Sequence, residues 1–114
     1  MIRMPFVALL MATLIATPAL ATEPIEGKWL TREGTTASIA PCGPAFCITL
    51  IDGKYAGKTI GTLTGSADSY SGEVVDPTDD KTYSGSATLR GDELELKGCV
   101  LLVLCKGQTW TRVQ

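Results

Sequence analysis

The sequence contains no histidine. Histidine is the side chain that most often serves as a general base near neutral pH, and it is a common ligand of zinc. No Gly-x-Ser-x-Gly segment presents a nucleophilic serine, and the nearest approach, Ser84-Gly85-Ser86, lies in a segment that alternates like a β-strand. We therefore expect no catalytic residues, no cofactor and no metal ion, and a protein that is not an enzyme.

Clusters of positive charge are also absent. Ten basic and twelve acidic residues give a net charge of −2, and the basic residues are scattered along the chain. Nucleic acids and anionic membrane surfaces bind proteins mainly through concentrated lysine and arginine. We therefore expect no nucleic-acid partner.

The longest apolar segment lies near the start of the chain, from Phe6 to Ala16. It is shorter than the roughly 20 residues that a membrane-spanning helix needs. Arg3 precedes it, and the small residues Ala19 and Ala21 follow it, which is the pattern of a cleaved signal peptide rather than of a retained anchor. We predict a signal peptide over residues 1–21, cleaved after Ala21, and a periplasmic or secreted mature protein without a stable membrane span. The mature chain has 93 residues and a net charge of −3.

Four cysteines lie in this mature chain, and an even number in an oxidising compartment predicts two disulfides. Pairing Cys42 with Cys47 and Cys99 with Cys105 would close two short loops, each worth about 2 kcal/mol, against about 4 kcal/mol for one long bridge. Three pairings are possible, and proximity along the chain favours the local one. A zinc site is the alternative, but these spacings are wider than Cys-x-x-Cys and no histidine is available.

The mature sequence has little helical periodicity and many short runs of β-branched and aromatic residues separated by glycine. We predict strands at Gly27–Arg32, Thr36–Ala40, Phe46–Ile51, Lys58–Thr64, Ser69–Val75, Lys81–Arg90, Glu93–Gly98 and Gln108–Val113. So many strands with short connections favour one all-β domain over residues 22–114, folded as a small antiparallel β-barrel, since closure removes unpaired strand edges. A two-layer β-sandwich would satisfy the same pattern and is the alternative.

Several segments of the mature chain share a specific pattern. They are Ile25-Glu26-Gly27-Lys28-Trp29, Ile39-Ala40-Pro41-Cys42-Gly43 with Cys47, Ser71-Gly72-Glu73-Val74-Val75-Asp76-Pro77 running to Lys81-Thr82-Tyr83, Leu96-Lys97-Gly98-Cys99, and Gln108-Thr109-Trp110-Thr111-Arg112. Together they resemble the exported bacterial family catalogued as domain of unknown function 2147. The segment between Ile51 and Gly61 is shorter than in typical members. The resemblance implies a fold and a compartment but no activity.

A second resemblance concerns the two ends of the barrel sequence. Gly27-Lys28-Trp29 near the start and Arg112 near the end are similar to the lipocalin-like (calycin) signature. This resemblance implies that Arg112 lies over Trp29 and closes the barrel there. Such a cation–π contact contributes about 0.5–2 kcal/mol. The alternative is that Trp29 and Trp110 are simply core aromatics.

Two further segments are candidates for a site. The acidic segment with Glu73, Asp76, Asp79 and Asp80 could bind a hard cation, but Asp-Pro-Thr-Asp-Asp between two strands is more typical of a solvated turn. The run Val100-Leu101-Leu102-Val103-Leu104 has no polar alternation. It is expected either to plug one barrel end or to form an apolar patch at the barrel mouth.

From these features we predict a binding module for a small apolar ligand held inside the barrel. Trp29, Tyr83 and Leu102 are the predicted lining residues. Small residues expected to face inward, such as Gly85, Ala87 and Thr62, would leave room for that ligand. The alternative is a structural or protein-interaction component of the cell envelope that uses the Val100–Leu104 run to contact another protein.

Overall fold

A computed structural model describes residues 23–100 and 104–114. The predicted signal peptide and Leu102 therefore lie outside the described residues. The strands are β1 (Gly27–Leu30), β2 (Thr36–Cys42), β3 (Ala45–Leu50), β4 (Thr59–Ser66), β5 (Ser69–Asp76), β6 (Lys81–Arg90), β7 (Glu93–Val100) and β8 (Leu104–Arg112). Each pairs antiparallel with the next, and β8 returns to β1 to close the barrel. The predicted barrel is confirmed, and the sandwich alternative is excluded.

Both disulfides join the local pairs favoured by the sequence. Cys42 and Cys47 lie on the β2–β3 hairpin with Cα atoms 5.7 Å apart, and Cys99 bonds to Cys105 between β7 and β8. Cys99 and Cys105 are directly opposite in the register, and the ladder continues beyond them to the pair Val100 and Leu104. For this reason β8 begins four residues earlier than the sequence predicted.

Alternation along each strand sends one set of side chains into the barrel. At one end, which we call the closed end, the interior is filled by the buried side chains of Trp29, Ile39, Phe46, Leu63, Tyr70 and Leu94. The Phe46 and Tyr70 rings meet edge to face with centroids 5.8 Å apart. The register between β3 and β4 shifts beside Ile48, so Ile60 and Gly61 are both buried and Thr62, which was expected to face inward, is exposed.

The seam between β1 and β8 is the shortest ladder of the barrel. Only Trp29 with Arg112 and Leu30 with Thr111 are paired there. The Arg112 guanidinium lies 4.3 Å from the centroid of the Trp29 ring and donates hydrogen bonds to the carbonyls of Glu26 (3.1 Å) and Pro24 (2.7 Å). Arg112 therefore ties the start of the described chain to the last strand.

No helix in the described part of the chain is long and apolar enough to cross a membrane.

Candidate functional site: a cavity at the barrel mouth

The end of the barrel opposite the closed end contains a cavity of about 350 Å³. We call this end the mouth, because the β1–β2, β3–β4 and β5–β6 connections surround it. The apolar wall of the cavity is formed mainly by Ile48, Leu50, Ile60, Val74, Tyr83, Leu96 and Trp110. At roughly 30 Å³ for each non-hydrogen atom, the volume suits a molecule of about a dozen such atoms.

Three glycines, Gly72, Gly85 and Gly98, lie directly opposite one another on β5, β6 and β7. Of these, Gly98 lines the cavity. A Cβ atom added at Gly85 would lie 2.9 Å from Cγ1 of Val74, and one added at Gly98 would lie 3.3 Å from Cγ2 of Val74 and 3.2 Å from Cβ of Tyr83. Gly85 and Gly98 therefore leave room for Val74 and Tyr83, two of the side chains that form the apolar wall.

A short chain of polar side chains crosses the opposite wall. The Trp110 indole donates a hydrogen bond to the Gln108 side-chain oxygen at 2.9 Å, and the Gln108 amide donates to Glu33 at 3.1 Å. Thr31 and Thr35 share a hydroxyl hydrogen bond of 2.6 Å at the same end. Among the described residues no buried side-chain nitrogen or oxygen lacks a partner. The cavity therefore presents its apolar surface without exposing an unpaired buried polar group.

Lysines stand at the rim of the cavity. The Lys106 ammonium lies 5.6 Å from the centroid of the Tyr83 ring, and the Lys54 ammonium lies 5.6 Å from that of Tyr55. All four side chains line the cavity. Neither lysine takes part in an ion pair found within residues 23–100 and 104–114. Each positive charge is thus held over an aromatic ring beside the apolar interior.

The carboxylates at the mouth are engaged in internal hydrogen bonds. Asp76 accepts from the Thr78 hydroxyl at 2.6 Å and from the Thr78 backbone N–H at 3.0 Å. These bonds, with a smaller contribution from the nearby Lys106 charge, hold the pKa of Asp76 below its ordinary value of 3.8. Glu33 accepts from Gln108. The two carboxylates are therefore already bound by neighbouring donors.

The acidic segment that begins at Asp76 forms the β5–β6 turn. Asp79 accepts the backbone N–H of Lys81 at 2.9 Å, as Asp76 does that of Thr78, which is the geometry expected of aspartate in turns. Across the described ranges, 23–100 and 104–114, no three acidic or cysteine side chains are grouped so that they could hold a metal ion. The segment thus has the turn structure that its sequence favoured.

The predicted lining residues lie in different places. Tyr83 lines the cavity. Trp29 does not: it is fully buried at the closed end, where its indole donates to the carbonyl of Ile25 at 2.9 Å beneath Arg112. Leu102 lies outside the described residues, but Leu104 from the same apolar run has 67% of its surface exposed. The structure therefore brings neither Trp29 nor a described residue of that run into the cavity lining.

Several lining residues were not identified from the sequence, including Lys106, Gln108 and Trp110. The signal for them was present, because positions 106, 108 and 110 are two residues apart on one strand and so share a face. Trp110 was recognised as a core candidate, and alternation from it would have placed Gln108 and Lys106 inside as well. Tyr55 and Lys54 lie in the β3–β4 connection, where no periodicity indicates which side chains face inward.

Comparison with known proteins identifies a family. The family described as an uncharacterized protein conserved in bacteria (DUF2147) matches residues 27–112, which spans all eight strands. No curated protein and no solved structure matches the chain at a significant level.

Proposed function

The chain belongs to the bacterial family DUF2147, and on that premise we propose that its barrel binds one small, largely apolar ligand in the cavity at the mouth. The cavity carries this proposal. An eight-stranded barrel is either filled by side chains or holds one small ligand, and this barrel is filled at the closed end and empty at the mouth. The role is one of binding, without a catalytic step.

The composition of the wall supports an apolar ligand. Ligand pockets typically combine an apolar lining with a few fixed polar groups, and their volumes are about 300–1,000 Å³. Ile60 and Tyr83 line the cavity and are each only 8% exposed, so both are packed against the surrounding protein. Burying the apolar surface of the ligand there would contribute about 25 cal/mol for each Å² removed from water.

Titration with the uncharged fluorescent probe 1-naphthylamine, whose roughly eleven non-hydrogen atoms match the volume of the cavity, tests the proposal. We expect saturable binding to the oxidised protein. Leu96→Trp adds an indole inside the cavity and should abolish this binding, whereas Leu30→Trp adds the same group on the outer surface, where Leu30 is 44% exposed. Circular dichroism establishes that both variants remain folded. Failure of the wild type to bind, or equal binding by both folded variants, would contradict the proposal.

We also propose that the protein acts outside the cytoplasm, after removal of residues 1–21. Two disulfides support this location, since such bonds persist in oxidising compartments. The mass of the protein isolated from the periplasm or the medium tests it. A chain beginning at Thr22 with no free thiol is expected, and an uncleaved chain or a cytoplasmic location would refute it.

One observation favours the alternative role as a protein-interaction component of the envelope. Leu104 is the most exposed large apolar side chain described, and it pairs with Val100 at the end of the β7–β8 ladder. If that hairpin contacts another protein, Leu104→Asp should release the partner in co-purification while leaving probe binding unchanged. Unaltered co-purification would argue against the alternative.

A further inference from the structure

We infer that the ligand is an amphiphile with an anionic head group, held with its apolar part in the cavity and its head between Lys54 and Lys106 at the rim. This inference rests on the proposed function and specifies the class of ligand. A free carboxylate and a phosphate monoester share the required chemistry, since both present anionic oxygens to ammonium donors.

Lys54 and Lys106 both lie beside aromatic rings of the cavity wall. Both ammonium groups lie at 5.6 Å from the centroids of rings that themselves line the cavity. A ligand in contact with Tyr83 and Tyr55 would thus have its outer end within reach of both charges. Lys54 lies in the β3–β4 connection and Lys106 lies on β8, so two separate elements each contribute one charge beside the cavity.

The charges of Lys54 and Lys106 are available to a ligand. The described ion pairs of the protein join Lys58 to Asp80, Arg90 to Glu95 and Arg112 to Asp92. Lys54 and Lys106 are in none of them. Asp76 lies near enough to Lys106 to interact with it electrostatically, but its carboxylate is already held by Thr78. An incoming anion therefore finds positive groups that no carboxylate holds in a close pair.

The carboxylates that line the cavity differ from these lysines in their surroundings. Glu33 and Asp76 already accept hydrogen bonds from Gln108 and from Thr78 within the protein. No described carboxylate pairs closely with Lys54 or Lys106. The rim therefore offers an anionic head group two ammonium donors, and the apolar wall holds the rest of the ligand.

The size of the cavity limits the tail. Space for about a dozen non-hydrogen atoms corresponds to a single chain of about ten carbons with its head at the rim. Three ten-carbon probes with different heads are therefore suitable: decanoate, decan-1-ol and decyltrimethylammonium. Each is used below its micellar concentration, with isothermal titration calorimetry as the readout, and decyl phosphate distinguishes a preference for phosphate over carboxylate.

The variant Lys106→Gln should weaken decanoate binding about three- to tenfold, and adding Lys54→Gln should weaken it further. Decan-1-ol binding should change less than about twofold, and decyltrimethylammonium should bind no more weakly than to wild type. Lys28→Gln is the matched control, because Lys28 is exposed on the outer face of β1 near the closed end. Decanoate affinity of the wild type should also fall as salt is added.

The possible failures are distinguishable. If decan-1-ol binds but Lys106→Gln changes decanoate and decan-1-ol equally, the anionic head group is refuted and the apolar cavity function stands. If none of the ten-carbon probes binds the wild type, both proposals are refuted. Loss of decanoate binding in Lys28→Gln as well would assign the effect to overall charge and refute the role of the rim lysines.

Discussion

Replacing Arg112 by methionine tests whether the β1–β8 seam depends on the guanidinium. Methionine keeps an unbranched stem over the Trp29 ring and removes the charge and the donors. The substitution eliminates two hydrogen bonds from a charged donor, each worth about 1.5–3 kcal/mol, and a cation–π contact of about 0.5–2 kcal/mol. The ion pair with Asp92 at 3.5 Å is exposed and adds little.

The side chain of Arg112 is 24% exposed, so water replaces part of what is lost and the lower end of each range applies. Such contributions are also not additive within one cluster. We expect the free energy of unfolding to fall by about 3 kcal/mol, which is a large fraction of the total for a domain of this size. The corresponding decrease in Tm is about 12–24 °C.

Urea unfolding of the oxidised protein, followed by tryptophan fluorescence, measures this change. Arg90→Met provides the control, because the Arg90 side chain is 67% exposed and makes only an ion pair of 3.5 Å with Glu95. That variant should change the unfolding free energy by less than about 0.5 kcal/mol. A loss below about 1 kcal/mol for Arg112→Met, or equal losses for the two variants, would refute a closing role for the guanidinium.

Other perturbations test the remaining features. Replacing both cysteines of the Cys99–Cys105 disulfide by serine should lower the free energy of unfolding by about 2 kcal/mol and also weaken probe binding at the mouth. The same change at Cys42–Cys47 should lower the free energy of unfolding by as much and leave probe binding intact. Gly85→Ala should lower the free energy of unfolding by about 1–3 kcal/mol, because the added methyl group contacts the side chain of Val74. In a double-mutant cycle, a smaller residue at position 74 should restore most of this loss, and strict additivity of the two changes would contradict the contact. Because the folded-state pKa of Asp76 is lowered, its stabilising contribution is present above about pH 5 and is lost as the pH falls through that lowered pKa. Asp76→Asn should therefore reduce the fall of the urea midpoint with decreasing pH. An unchanged dependence of the midpoint on pH would contradict the stabilising role of Asp76.

The strands and the disulfides could be predicted because they depend on neighbours in the chain. The alternation from Tyr83 to Leu89 placed Tyr83 and Ala87 inside and the intervening serines outside, as the structure has them. The spacing of the cysteines favoured the observed pairs. The same reasoning wrongly placed Thr62 inside the barrel. The register shift beside Ile48 is a property of two paired strands, and alternation along β4 alone does not reveal it.

The candidate site was predictable only in part. Tyr83 was identified through its strand position, and Gln108 and Lys106 could have been found by counting in steps of two from Trp110. Trp29 was proposed for the cavity as well as for closure, and sequence alone could not assign it to one end of the barrel. Its position opposite Arg112, away from the mouth, follows from the β1–β8 pairing that closes the sheet.

By itself, the sequence determined an all-β chain of eight strands with two short covalent loops, since side-chain alternation, turn residues and cysteine spacing are local properties. The sequence favoured a barrel and left a sandwich as the alternative, and the tertiary structure decided for the barrel. Only the tertiary structure showed that one end is filled and the other holds a cavity. It also decided that Lys54 and Lys106 border the same cavity. These features depend on closure, which brings together elements that are remote in the chain, and no local pattern encodes that juxtaposition.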